Sequence, residues 1–214
     1  MRKKTIFNVF LSIFVLLLTS FLLLFLTFPK FIFVDKLLER NKFFLISERV
    51  YEDFFKVILN KGKVFYSNKE ALRFDVAKLE IKPFYLFVSL LCEGNAMNLK
   101  VYPSGEVVFS SDGYTCIKDL GEIKGNLVLK GKIRGRLELK NLRVRGFNID
   151  KVALNFKGIR FDGVILYGGM ELKGSGTIKL SKNFFSSRID GSFKGAGITL
   201  KIFGSLNNLR VSVR

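Results

Sequence analysis

The chain of 214 residues has no histidine, no tryptophan and only two cysteines. Without histidine it lacks the commonest general base near neutral pH and the commonest metal ligand. Cys92 and Cys116 show neither C-x-x-C spacing nor a neighbouring histidine, so they suggest no redox or metal site. Ser111, Ser186 and Ser187 sit in turn-like contexts with no elbow motif and no base to activate them. The carboxylates of Glu48, Glu52, Asp53, Asp112, Asp119, Asp162 and Asp190 show no acid/base pairing along the chain. Gly168-Gly169 and Gly174-x-Gly176 could suggest a dinucleotide loop, but such a loop opens a helix, and here Thr177-Ile178-Lys179-Leu180 continues as strand. The sequence therefore reads as a non-enzyme. No catalytic, cofactor-binding or metal-binding residue is assigned.

Acidic residues are scarce as well: 18 against 36 lysines and arginines, for a net charge of +18. The excess predicts attraction to an anionic partner such as lipid headgroups, lipopolysaccharide or an acidic protein face. A lysine-rich solvated surface is the plain alternative.

What the chain does have is Ile6–Phe28, 23 positions without a charge. At about 1.5 Å per residue, such a helix crosses a hydrocarbon core of roughly 30 Å. Its polar members Asn8, Ser12, Thr19, Ser20 and Thr27 include short hydroxyls that can bond back to helix carbonyls. Arg2, Lys3 and Lys4 precede it and predict a cytoplasmic N-terminus. A cleaved signal peptide shares the basic start, but its apolar core is usually about 7–15 residues and ends in a small-x-small site. Here the run ends Leu-Thr-Phe-Pro-Lys. The expected organisation is a basic tail over 1–5, an anchor over 6–28, a juxtamembrane helical segment over 29–62 and an exported β domain over 63–214. Export makes nucleic acid an unsuitable partner. It also makes a Cys92–Cys116 bridge plausible in an oxidising compartment, with two buried free thiols as the alternative.

Two helices are expected in the second segment. Val34–Arg40 has apolar residues at helical spacing. In the other, Ser47 reads as an N-cap, Val50, Tyr51, Phe54, Phe55, Ile58 and Leu59 form a stripe, and Lys61-Gly62-Lys63 is a stop. From Lys63 the period becomes two, with short strands through Val64, Tyr66, Leu72, Phe74, Val76, Leu79 and Ile81. Phe84–Leu91 is apolar on both faces and reads as a helical turn or a central strand. Pro103-Ser104-Gly105-Glu106 marks a hairpin turn.

From Gly121 onward, glycines punctuate alternating strands. Leu127, Leu129, Ile133, Leu137 and Leu139 give an apolar face, and Lys130, Lys132, Arg134 and Arg136 a basic one. The parity changes at Leu142 and Val144, as a bulge or turn near Asn141 would cause. The fold class is mainly β: an antiparallel glycine-rich meander forming a curved sheet, a sandwich or an open barrel. An ordinary one-sided core and an open lipid groove both fit it.

The span with its Phe28-Pro29 exit, the segment Ala77-Lys78-Leu79-Glu80-Ile81 and the closing Gly204-Ser205-Leu206-Asn207-Asn208 together resemble a known family. So does Gly168-Gly169-Met170-Glu171-Leu172-Lys173-Gly174. The chain is similar to protein N of the bacterial type II secretion system, whose layout is similar to AsmA-like inner-membrane proteins. The closing-strand proline usual in that family is replaced here by Asn208. The resemblance implies a single-pass inner-membrane protein with a periplasmic domain, acting as an accessory to other secretion-system proteins. A periplasmic lipid- or lipopolysaccharide-handling protein is the alternative.

Overall fold

The computed structural model describes residues 14–20, 30–40, 42–144, 146–181, 186–205 and 208–214. The tail over 1–5 and most of the anchor over 6–28 lie outside the described residues. Residues 14–20 (α1) are helical with exposed side chains, and the Thr19 hydroxyl donates back to the Val15 and Leu16 carbonyls at 2.9 and 3.0 Å. No helix among the described residues is long and apolar enough to cross a membrane.

A second helix, α2 (Lys30–Arg40), is followed entirely by strands. They are β1 (Phe43–Asp53), β2 (Lys56–Tyr66), β3 (Lys69–Lys82), β4 (Tyr85–Cys92), β5 (Asn95–Val101), β6 (Val107–Tyr114) and β7 (Glu122–Leu129). The second half holds β8 (Ile133–Val144), β9 (Phe147–Gly158), β10 (Arg160–Tyr167), β11 (Met170–Lys179), β12 (Arg188–Gly195), β13 (Ile198–Ser205) and β14 (Asn208–Val213). Every strand pairs with its neighbours in sequence, giving one antiparallel sheet of 14 strands in the order β1 to β14. The fold is a curved open meander, and the sandwich alternative falls away because the strands form one sheet.

The helical segment expected over 29–62 needs correction. Among the described residues of this segment only Lys30–Arg40 is helical, and the β domain begins at Phe43 rather than 63. The stripe from Val50 to Leu59 is a hairpin, with Val50 opposite Leu59 and Tyr51 opposite Ile58. Two strands folded about Phe54-Phe55 put apolar residues at spacings that mimic a helix. β-branched and aromatic residues favour the strand. Asp53 holds the turn, its carboxylate accepting the Phe54 N–H at 2.7 Å. Ser47 is no cap, since its hydroxyl donates to the carbonyls of Asn60 and Arg49. Lys61-Gly62 is no helix stop either. Lys61 has φ 45° and kinks β2, and Gly62 lies against the Phe74 ring.

Two apolar clusters lie on one face of this sheet. The first joins Val57, Leu59, Phe74 and Ala77, with Phe31 of α2 packed on them. The second runs through β8–β13, with Ile149, Ile165, Leu172, Phe193 and Leu200 at its centre. Burying a side chain of this size contributes about 1.5–3 kcal/mol, which explains why the second half curls until β14 meets β8. Glycines set how tightly it curls. One cross-strand row reads Phe156, Phe161, Gly176, Gly191, Ile202. A Cβ on Gly176 would stand 2.3 Å from both the Phe161 ring and the Asp190 carbonyl oxygen, so the ring lies over the bare backbone. At Asn141, φ is 51°, and the apolar face continues with changed parity at Leu142, opposite Ile149.

Gly176→Ala should therefore destabilise the protein by about 1–3 kcal/mol in urea unfolding, the usual cost of overpacking. Phe161→Leu in the same chain should recover part of that loss, because a smaller side chain leaves room for the methyl group.

Candidate functional site

The two ends of the sheet differ. At one end the tips β2–β3, β4–β5, β10–β11 and β12–β13 are two-residue loops: Ser67-Asn68, Glu93-Gly94, Gly168-Gly169 and Ala196-Gly197. Both residues of each loop have positive φ, the twist that suits tight hairpins. The glycine pair that could suggest a phosphate loop is thus an ordinary turn.

A strap closes this same end across β3–β6. β4 pairs with β3 only from Val76 onward, leaving the start of β3 open on that side. The chain after β6 fills it. Arg73 donates to the Cys116 carbonyl at 2.8 Å, Lys118 to that of Ala71 at 2.9 Å, and Leu72 bridges Ile117. Cys116 is bonded to Cys92 at the end of β4, with Cα atoms 6.2 Å apart. Tyr114 is fully buried beneath the strap and donates its hydroxyl to the Arg73 carbonyl. Burial, helped by the nearby Asp75 carboxylate, pushes its phenol up to about 12.

Between the two clusters lies a stretch of the apolar face that belongs to neither. Cross-strand pairing sets Val88 beside Leu99 and Leu99 beside Phe109, with Leu86, Val101 and Val107 in the adjoining row. All six are half-buried and pack into neither cluster core. They form a half-buried apolar strip, called the trough below, that is strapped at one end, where β3 and the β6–β7 connection meet. At the other end β3 and β6 are joined only through β4 and β5.

The residues singled out in the sequence flank this trough. Leu127, Leu129, Leu137 and Leu139 are half-buried and pack on the larger cluster, and Ile133 is buried within it. Lys130, Lys132, Arg134 and Arg136 are exposed. Lys130 and Arg136 pair with Glu106 and Glu138 at 3.4 and 3.8 Å. The trough residues on β4–β6 were not singled out. Alternation in Met97–Val101 hinted at them, but Tyr85–Cys92 is apolar on both faces and conceals which side is covered.

The opposite face carries polar side chains on β5–β8. Asn98, Ser110, Asn126 and Arg136 stand in one cross-strand row that lines a cleft of about 480 Å³. Nearby, Glu80 is held by Lys78 and by Lys82 at 2.8 Å, and these contacts lower its carboxyl to about 2. Among the described residues, no group of three or more His, Cys, Asp or Glu could hold a metal ion.

No family model and no solved structure matches this chain. An uncharacterized protein of Aquifex aeolicus (strain VF5) is 40% identical over 220 residues, an alignment covering 100% of both chains. The chain belongs to that protein's family. The shared length means that the alignment spans the uncharged run and the β sheet alike.

Two measurements check the strap. Replacing Cys92 and Cys116 by serine should cost roughly 3 kcal/mol of stability, the loop-closure value for a bridge of this span. In an absorbance titration, Tyr114 should ionise near 12. Because the folded value is raised, its contribution is complete below the unfolded value of 10 and is lost as the pH climbs from there to about 12. Alkaline unfolding should steepen in that window, and Tyr114→Phe should flatten it.

Proposed function

We propose that this protein is a non-enzymatic lipid-handling protein, anchored in the inner membrane of a diderm bacterium, whose trough holds acyl chains on the periplasmic side. The observation that carries this reading is the half-buried apolar strip of β4–β6, which lies between two packed clusters and belongs to neither core. Contiguous apolar surface left outside a packed core is characteristic of binding faces. The chemistry suits lipid: the floor is aliphatic and aromatic, and the chain carries +18 against anionic headgroups. An uncharged run of 23 residues before the β domain supports anchorage.

The resemblance to type II secretion protein N favours a second reading, an accessory component that binds partner proteins. The observation in its favour is the pair of sheet margins. β1 and β14 each pair with one neighbouring strand, so a partner strand could extend the sheet at either margin.

Photocrosslinking separates the two. A benzophenone side chain placed at Val88 or Leu99 of the full chain, in bacterial membranes, should give lipid adducts by mass spectrometry. The same group at Ser89 or Asn98, on the opposite face, should give none. Protein adducts at all four positions, with no lipid, would favour the secretion reading.

A further inference from the structure

The open end of the sheet carries the wrong residues for solvent. Hairpin tips usually bear glycine, asparagine or other small polar groups, as the strapped end does. At the open end the β1–β2 tip is Phe54-Phe55, the β3–β4 tip is Pro83-Phe84 and the β9–β10 tip is Gly158-Ile159. Phe84 is 77% exposed, Ile159 55% and Phe55 54%. Three separate hairpins thus present large apolar groups outward, at one end, where the core makes no use of them.

Cations surround these tips. Lys132 and Arg134 leave the β7–β8 turn, and Lys157 and Arg160 flank Ile159. Lys132, Arg134 and Lys157 line an open cleft of about 390 Å³ beside Phe156. Of these four cations, only Lys157 has an ion pair among the described residues, with Asp162 at 3.6 Å.

A third observation is independent of both: the position at which the chain enters the domain. The Phe31 N–H, at the start of α2, donates to the carboxylate of Glu52 at 3.0 Å. Glu52 lies next to the β1–β2 tip. α2 then runs back along β1, and Lys42, after its far end, is bonded to Ser67 of the strapped end. The described chain therefore enters the domain at the open end, beside the β1–β2 tip.

We propose that the open end is a membrane-docking rim, seated on the anionic leaflet from which the anchor emerges. Phe55, Phe84 and Ile159 enter the interfacial region, and the Lys132–Arg134–Lys157 cleft takes an anionic phospholipid headgroup. Aromatic groups settle at this level of a bilayer and cations are drawn to its surface charge. The strands then stand on the membrane with the mouth of the trough facing the lipid. The proposal rests on the anchorage in the reading above and not on the trough being filled.

The absence of tryptophan gives a clean test. The full chain carrying Phe84→Trp is placed in nanodiscs of phosphatidylglycerol and phosphatidylcholine, and a second chain carrying Phe44→Trp reports on the strapped end. Brominated lipid should quench the first at least about twofold more than the second, with a blue-shifted emission. Lys132→Gln with Arg134→Gln should remove the extra quenching gained from phosphatidylglycerol over pure phosphatidylcholine. Equal quenching at both ends, or none at either, overturns the docking. A blue shift at Phe84→Trp without quenching means that protein covers the rim, and this overturns the lipid assignment too. Lipid adducts at Val88 are read separately, so a filled trough and an undocked rim would be distinguished.

Discussion

Strictly sequential antiparallel pairing is the constraint from which the rest of this structure follows. When each strand bonds only to its neighbours in the chain, no second sheet forms to cover the apolar face. That face must be covered by curvature or left partly open. The chain does both. In β8–β14 glycines on the inner rows let Phe156, Phe161 and Phe193 lie flat across the sheet, and the half closes on itself. In β4–β6 the matching rows hold Leu, Val and Phe with no inner glycine to receive a ring, and the face remains a trough. The difference between a filled half and an open one is thus written in which strands carry glycine.

The strap answers a mechanical need that this arrangement creates. A four-stranded stretch of open sheet between two cores can splay, because nothing crosses it. Two backbone hydrogen bonds tie β3, and one disulfide ties β4, to the connection beyond β6 at a single end. Burial of Tyr114 seals the same corner. Tying one end alone fixes the width of the trough while leaving the other end unobstructed. An oxidising compartment is where such a bridge persists, which agrees with a chain carrying a basic start and a long uncharged run ahead of its β domain.

Much of the fold was legible in the sequence, and its limits have physical causes. From Gly121 onward, leucine alternates with lysine or arginine, so period and face could be read together, including the change of parity at Asn141. Between Val50 and Leu59 the same reasoning failed. A hairpin with an aromatic tip places apolar residues at three- and four-residue steps, and the tip lacked the Asn-Gly or Asp-Gly signal that would have broken the pattern. Leu127 to Leu139, read from the sequence as an apolar face, pack on the larger cluster, while β4–β6 carry the strip between the clusters. That distinction is tertiary. It depends on a curl set by glycines 40 to 60 residues further along the chain, and no local window contains it.

The exposed tips were not legible at all, for a related reason. Phe55 and Phe84 read as core residues, since large apolar groups usually lie inside. Only the register shows that they cap hairpins at one end and that Ile159 and a group of cations share it. An apolar tip surrounded by water costs roughly 1.5–3 kcal/mol of forgone burial for each large side chain. A single such group could be incidental. Three on separate hairpins, all at the end where the chain enters the domain, are better explained by a surface that supplies the missing apolar environment. The membrane implied by the uncharged run is the one such surface that the chain itself specifies.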